Sequence, residues 1–149
     1  MDYLELANQF LHYMHIFKGY GHQKKIDETM QGETFVLLYI MRKRRMVLPS
    51  EISNEMNISS ARVAAILNTL ENKGFITRQI DQSDRRQILV DLTVAGKEVA
   101  EAHHKKVVSG TAKMLEFLGE NDSGELVRIM GKLAEIAPML KEDINSGRK

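Results

Sequence analysis

Residues 59–93, "SSARVAAILNTLENKGFITRQIDQSDRRQILVDLT", join a helical pattern to two alternating runs and a charged tip. Ser59 is a favourable N-cap residue, and Gly74 stands where a helix can end in a left-handed conformation. Beyond Gly74, apolar and polar residues alternate over residues 75–80 and 87–92, as they do in paired strands. The stretch therefore predicts a helix followed by a β-hairpin.

The predicted helix has one apolar face and one small polar face. At about 100° per residue, one sector collects Val63, Ile66, Leu67 and Leu70. The opposite side collects Ala61, Ala65, Asn68 and Asn72, with Arg62 and Thr69 on a flank. No acid lies on this polar face, because Glu71 stands nearer the other flank. A small, acid-free face is what a helix needs if it enters a negatively charged groove.

The tip of the predicted hairpin is unusual. Hairpin turns usually carry Gly or Asn for their backbone geometry, whereas residues 81–86 read "DQSDRR". Arg85 and Arg86 at the end of such a finger could reach phosphates or the negative potential of a narrow minor groove. Asp84 would be unfavourable against DNA unless it is paired, so we expect it to hold a neighbouring arginine in one rotamer.

The residues before this stretch predict three helices. Helical apolar spacing covers residues 3–23 and 33–46. Pro49 suits the first turn of a short helix, "PSEISNEM", because its missing N–H has no partner there. The first of these helices is apolar on several faces, so we expect a partner chain to cover part of it.

The residues after this stretch predict two further helices. Thr93 caps a long one that runs to about Leu118. Asp122, with Glu125 three residues later, resembles a capping box for the last helix. Pro138 should kink or weaken that helix.

The overall composition bounds the class of protein. The chain has 149 residues, of which 43% are hydrophobic and 28% charged, which suits one domain or one protomer of an intertwined dimer. It has no cysteine, so disulfides and thiolate metal sites are excluded. The chain contains no apolar run of about 18 residues, so no membrane-spanning helix is predicted. The N-terminus does not resemble a signal peptide. We therefore expect a cytoplasmic protein that does not contact membranes.

The charge is unevenly distributed along the chain. The net formal charge is +1, but residues 41–90 carry nine bases and five acids, so this middle segment is +4 and the rest −3. Such asymmetry favours an anionic partner for the middle of the chain. The run Arg42 to Arg45 has two interpretations: it adds a long-range attraction, or it complements the dipole at the end of its helix.

The order helix, short helix, tight turn, helix, strand, charged tip, strand is typical of a winged helix-turn-helix, which places its second helix in a major groove. The residues that form this order strongly resemble the MarR family of bacterial transcriptional regulators. The resemblance is carried by "LENKGFITR" (70–78), "DQSDRRQILVDLT" (81–93) and "TVAGKE" (93–98), and it covers about residues 31–101.

The resemblance implies a mainly α fold with a small β-hairpin wing (α+β), in which residues 31–92 form a DNA-binding lobe. Residues 1–30 and 93–149 would form a helical dimerisation region, the whole being one intertwined domain. Such proteins are homodimers that bind double-stranded DNA at pseudo-palindromic operators, and many are repressors released by a small aromatic or phenolic ligand.

The resemblance also implies roles for individual residues. The wing signature of aspartate, any residue and arginine falls on Asp84 and Arg86, so Arg86 would enter the minor groove, with Arg85 on phosphate. Arg62 is the long side chain able to contact guanine in a bidentate way. Relatives often carry polar or basic residues at Ala64 and Ala65, so fewer hydrogen-bonded base contacts are expected here. The predicted DNA contacts are Pro49, Ser50, Ser59, Ser60, Ala61, Arg62, Ala65, Asn68, Thr69, Asp84, Arg85 and Arg86.

A ligand pocket is a second expectation. Methionine repacks easily around varied apolar guests, and several of the nine methionines fall in or near the first two helices. The alternative is that these side chains fill the core. The residues predicted to line a pocket are Phe10, Tyr13, Met14, Phe17 and Tyr39.

Other chemistries have weaker support. His12 and His15 share a helix face, and His22, His103 and His104 are further histidines. A zinc-responsive regulator of the same fold, with Glu33 or Glu101 completing a site, is one alternative. A winged-helix protein-interaction module is another. We expect no enzyme and no cofactor, because the chain has no thiol nucleophile, Gly-rich phosphate loop or GxSxG motif.

Overall fold

The computed structural model describes residues 1–21 and 32–146, and only the backbone of residues 142–146. Within these ranges it has six named helices and one two-stranded antiparallel sheet. In chain order the elements are α1 (Tyr3–Lys18), α2 (Gly32–Lys43), α3 (Pro49–Met56), α4 (Ser60–Asn72), β1 (Ile76–Ile80), β2 (Ile88–Leu92), α5 (Val94–Leu118) and α6 (Glu120–Ser146).

The core lies where α2, α3, α4 and the hairpin meet. Val63, Leu67 and Leu70 of α4 are fully buried, and Ile66 is half-buried, so the apolar sector expected from the helical pattern is confirmed. The other buried apolar side chains are Val36, Leu37, Tyr39, Ile40, Val47, Ile52, Ile76, Val90 and Ala100. This core fixes α4 with its polar face outward.

Local signals set both ends of the helix-turn-helix connection. Asn57 ends α3 in the left-handed region, at φ 52°, and the Ser53 hydroxyl donates to the Ile58 carbonyl at 2.7 Å. Ser59 then caps α4, since its hydroxyl accepts from the backbone N–H of Arg62 at 3.2 Å. The cap predicted at Ser59 is confirmed.

The end of α4 is a Schellman motif. Gly74 has φ 77°, its N–H donates to the Glu71 carbonyl, and the Phe75 N–H donates to the Leu70 carbonyl. Only glycine adopts this conformation at little cost. The chain thereby turns from α4 directly into β1.

The hairpin pairs Ile76 with Leu92 and Ile80 with Ile88. Beside it, Val47 and Val90 exchange two backbone hydrogen bonds, of 2.9 and 2.8 Å. The sequence analysis did not predict this bridge, because Val47 has no alternating run around it. It ties the segment between α2 and α3 to the base of the wing.

The chain forms two compact units, Met1–Val108 and Ser109–Lys149. Helix α5 passes from the first unit into the second. The division expected from the resemblance, with a DNA-binding lobe at residues 31–92, stays a prediction. In the described residues no helix is both long and apolar enough to span a membrane.

Several predicted helix ends need correction. Helix α1 ends at Lys18, and residues 22–23 of the predicted helix lie outside the described residues. Helix α2 ends at Lys43, because Arg44 takes a positive φ of 54°.

The predicted capping box at Asp122 is wrong. Gly119, at φ 90°, separates α5 from α6, and α6 begins at Glu120. Asp122 therefore lies inside the first turn, where a carboxylate complements the helix dipole. The Glu125 carboxylate accepts from the Arg128 guanidinium instead. Pro138 lies inside α6, which continues past it to Ser146.

Candidate nucleic-acid interface

The polar face of α4 is exposed. Its solvent-facing residues include Ser60, Ala61, Arg62, Ala65, Asn68 and Thr69. Two predicted contacts already use their hydroxyls within the helix: Ser59 caps it, and Thr69 donates to the Ala65 carbonyl at 3.1 Å. Ser60 and Arg62 keep their side-chain polar groups for base edges, and Asn68 keeps its NH₂ group, because its oxygen accepts from Arg78.

Arg62 lies near the start of α4 and is exposed. Among the described side chains of residues 1–21 and 32–141, its guanidinium has no hydrogen-bond or ion-pair partner. A free guanidinium on an exposed helix face can swing toward a base edge without first breaking an intramolecular pair. This placement agrees with the role expected for Arg62, which stays a prediction.

Arg78 of β1 connects the hairpin to α4. Its guanidinium donates to both oxygens of the Glu71 carboxylate, at 3.1 and 3.0 Å, and to the amide oxygen of Asn68 at 2.8 Å. The hydrogen bonds from Arg78 lower the pKa of Glu71, and those to Glu71 raise the pKa of Arg78. The sequence analysis missed this cluster, because Arg78 lies on a different element, seven residues from Glu71 and ten from Asn68.

The wing tip is built from two aspartate-centred turns. Asp81 accepts from the backbone N–H and the hydroxyl of Ser83, at 2.9 and 2.7 Å, and these bonds lower the pKa of Asp81. Asp84 accepts from the backbone N–H and Nε of Arg86, at 3.1 and 3.3 Å. Aspartate side chains thus close the turns that Gly or Asn would otherwise provide.

The arginines at the tip face solvent. The Arg86 side chain is 92% exposed although it contacts Asp84, and Arg85 is exposed beside it. The contact expected between Asp84 and an adjacent arginine is therefore present. It leaves the terminal amino groups of Arg86 free to reach an anion.

The basic run Arg42 to Arg45, which begins in the last turn of α2, divides between two environments. Arg42 and Lys43 lie in the last turn of α2, where cations complement its dipole. Arg45 is paired with Glu51 of α3, Nη2 to Oε1 at 2.5 Å. Glu51 also accepts from the Leu48 N–H at 2.7 Å, so it stabilises the start of α3. Two predicted DNA contacts lie at this helix start: Pro49 is half-buried, and Ser50 is exposed.

The comparisons with known proteins identify this arrangement. A profile described as the MarR family matches residues 33–88. The HTH-type transcriptional repressor MdtR of Bacillus subtilis (strain 168) is 30% identical over 124 residues, which span 77% of this chain and 77% of that protein. The chain belongs to the MarR family. The repressor YetL of the same organism is 23% identical over 144 residues, or 95% of this chain and 82% of that protein.

Solved structures share the MarR-family fold. The YusO protein from Bacillus subtilis has a TM-score of 0.68 and 25% identity, covering 91% of this chain and 98% of its own. Streptococcus pneumoniae FabT, solved in complex with DNA, has a TM-score of 0.65 and 24% identity, with 96% and 99% covered. The winged-helix fold class is confirmed, and the protein is a MarR-family transcriptional regulator.

The predicted ligand residues of this MarR-family chain lie in two different environments. Phe10, Tyr13, Met14 and Phe17 are all exposed on α1. Tyr39 is only 6% exposed and stacks on Phe35, with ring centroids 6.2 Å apart. Burial raises the pKa of Tyr39. Tyr39 therefore belongs to the core of the lobe, and a ligand site on α1 stays a prediction.

A cavity of about 900 Å³ lies in the first unit, between the end of α2, the end of β2 and the first half of α5. Its apolar wall includes Ile40, Met41 and Leu92, and its charged groups include Arg42, Arg44, Lys97, Asp91 and Glu101. The sequence analysis did not predict it, because its walls come from three separated segments.

The histidines do not form a described metal-ligand set. Among the described side chains, those of residues 1–21 and 32–141, no three His, Asp or Glu groups lie together so that they could hold one ion. Glu33 instead pairs with Lys73 at 2.7 Å, and His22 lies outside the described residues.

Proposed function

We propose that this MarR-family regulator is a repressor that binds a pseudo-palindromic operator as a homodimer. One observation carries the proposal: α4 has an exposed, acid-free face, and the wing tip of the same chain has an exposed Arg86. The first surface matches a major groove and the second a minor groove.

Each lobe would read one half-site. Arg62 contacts guanine, since its guanidinium carries two parallel donors that match O6 and N7. Arg86 enters the minor groove, whose negative potential attracts arginine where the groove is narrow. Asp84 limits the rotamers of Arg86 through the 3.3 Å contact with Nε, so less entropy is lost on binding. Arg85, Ser50 and the start of α3 contact phosphates.

The homodimer is supported by apolar surface that one chain leaves uncovered. Large apolar side chains are exposed along α1 and along α6, including Leu4, Phe10, Leu11, Met130, Leu133 and Leu140. An exposed apolar face, on either helix by itself, usually marks an interface. A two-fold dimer binds two half-sites about one helical turn apart.

Ligand release is the third part of the proposal. A small aromatic or phenolic ligand would bind near the junction of the lobe and the dimerisation helices, with Phe10, Tyr13, Met14 and Phe17 as proposed contacts; Tyr39 is no longer among them, because it is buried in the core. Such a ligand releases DNA only if its affinity is higher for the dimer whose lobe spacing does not fit DNA than for the dimer whose spacing does. The exposed aromatic residues of α1 support this location.

The test is fluorescence anisotropy with the promoter region next to the gene, over a series of salt concentrations. The wild type should bind tightly with a steep salt dependence, because several phosphate contacts release counterions. Arg86→Ala should weaken binding by about tenfold or more. The matched control is Gln82→Ala, which changes an exposed, uncharged residue of the same tip and should leave the affinity unchanged.

Two outcomes would contradict the proposal. Weak binding that is indifferent to sequence and unaffected by Arg86→Ala would favour a protein-interaction module. Binding that changes with added zinc or chelator would favour the metal-responsive alternative.

A further inference from the structure

The cluster of Arg78, Asn68 and Glu71 joins the recognition helix to the wing. Arg78 lies on the face of β1 that also carries Ile76, and opposite Val90 in the hairpin register. Its side chain is 28% exposed, so its position is restricted by the surrounding lobe. Asn68 is exposed on the polar face of α4. One guanidinium therefore touches a side chain that faces the proposed DNA site.

The chemistry of this contact orients the Asn68 amide. A guanidinium carries only donors, so the amide group that faces it must be the oxygen and not the nitrogen. The observed bond is Arg78 Nη2 to Asn68 Oδ1 at 2.8 Å. The Asn68 NH₂ group, which carries two donors, is thereby left directed away from Arg78.

Glu71 keeps the guanidinium in place. Its carboxylate accepts from Nε and Nη2 of Arg78, at 3.1 and 3.0 Å, which is the forked geometry that makes arginine–carboxylate pairs directional. Arg78 therefore cannot rotate away from Asn68 without breaking these two bonds. The pair also neutralises the one acid of α4 that lies beside the proposed DNA face.

A free asparagine usually reads adenine, accepting from N6 through its oxygen while donating to N7 through its nitrogen. Here the Asn68 oxygen already accepts from the Arg78 guanidinium, and the positive charge of that guanidinium disfavours the approach of a second donor such as the adenine amino group. Guanine presents only acceptors, O6 and N7, along this edge, and its negative edge is attracted by the same guanidinium.

We propose that Arg78 is a positioning residue that sets the base preference of Asn68, so that Asn68 reads guanine rather than adenine. Arg78 does this without touching the base itself. The inference rests on the proposed function, because it assumes that the face of α4 enters a major groove.

The experiment first selects an operator for the wild-type protein from random duplexes. Anisotropy then measures affinities for duplexes carrying each of the four base pairs at every half-site position. Asn68→Ala identifies the position that Asn68 reads, because the base preference there is lost. At that position the wild type should favour guanine over adenine by about tenfold.

Arg78→Lys is the decisive variant, because it keeps the positive charge but cannot fork across Glu71 and Asn68. The guanine preference at the Asn68 position should fall to near unity or reverse toward adenine, with preferences elsewhere unchanged. Arg85→Ala is the contrast: loss of a phosphate contact should weaken binding to all duplexes by a similar factor. Circular dichroism with thermal unfolding establishes that each variant is folded.

The outcomes separate this inference from the proposed function. A wild type with no base preference anywhere overturns both. A wild type that discriminates between bases but favours adenine at the Asn68 position overturns only the role of Arg78, and this outcome does not depend on whether Arg78→Lys folds. An undiminished guanine preference in folded Arg78→Lys, or uniform weakening of all duplexes, also overturns it.

Discussion

At the scale of single residues, Gly96 shows how closely two backbones approach. It lies in the first turn of α5 and is buried. A Cβ at this position would lie 1.9 Å from the carbonyl oxygen of Phe75 and 2.8 Å from its carbonyl carbon. Thr93 brings the two segments together, since its hydroxyl accepts from the Gly96 N–H at 3.0 Å and donates to the Gly74 carbonyl at 2.6 Å. Glycine is required here because a Cβ would overlap the Phe75 carbonyl.

Gly96→Ala should therefore lower the free energy of unfolding by about 1–3 kcal/mol, the usual cost of forcing extra atoms into a packed site. Urea denaturation followed by circular dichroism measures this. The control is Gly124→Ala in α6, where a Cβ meets nothing within 4 Å and alanine should be neutral or stabilising by up to about 1 kcal/mol. Equal unfolding midpoints for Gly96→Ala and the wild type would refute the close approach.

At the scale of elements, one carboxylate fixes the passage from α2 to α3. Glu51 accepts from both terminal nitrogens of Arg45, at 2.5 and 3.1 Å, and from the Leu48 N–H at 2.7 Å. The hydrogen bonds from Arg45, followed by that from Leu48, lower the pKa of Glu51 below its ordinary value of 4.5. The charged carboxylate thus stabilises the start of the helix that would lie over the DNA backbone.

This lowered pKa determines the sign of a pH dependence. The unfolded chain takes up the Glu51 proton before the folded chain does, so the stabilisation is complete above about pH 4.5 and is lost as the pH falls through the lower folded value. A double-mutant cycle of Arg45→Gln and Glu51→Gln should give a favourable coupling at neutral pH that fades in acid. A coupling that is independent of pH, measured by urea denaturation, would show that the pair is not an ion pair in solution.

At the scale of the whole molecule, the described chain leaves a long apolar stripe uncovered. On α6 the exposed residues recur at helical spacing, namely Leu126, Ile129, Met130, Leu133, Ile136 and Leu140. Exposing such a stripe to water costs free energy that a second copy recovers by covering it. The apolar pattern of α6 therefore supports the proposed homodimer.

Leu133→Glu should shift the protein toward monomer, because a carboxylate in an apolar interface loses its hydration without gaining a partner. Light scattering after size exclusion measures the molar mass across a dilution series. Operator affinity should fall together with the dimer, since each lobe would then bind its half-site alone. The control is Glu135→Lys, a charge change two residues away on the exposed surface. A dimer of undiminished affinity in Leu133→Glu would remove this stripe from the interface.

The sequence alone determined the identity and order of the elements from α3 to β2. The reason is that Pro49, Ser59, Gly74 and the apolar periods act on neighbouring residues, so their effect is readable from spacing. The same holds for the contact of Asp84 with Arg86, which spans only two residues. The apolar face of α4 was likewise evident, because burial follows the helical period.

Only the tertiary structure decided which distant residues meet. The bridge of Val47 with Val90, the clamp of Arg78 on Asn68 and the burial of Tyr39 all join segments whose separation in sequence carries no signal. Side chains compete for hydrogen-bond partners only after the core has fixed where each helix lies, so the partners left for DNA follow from packing.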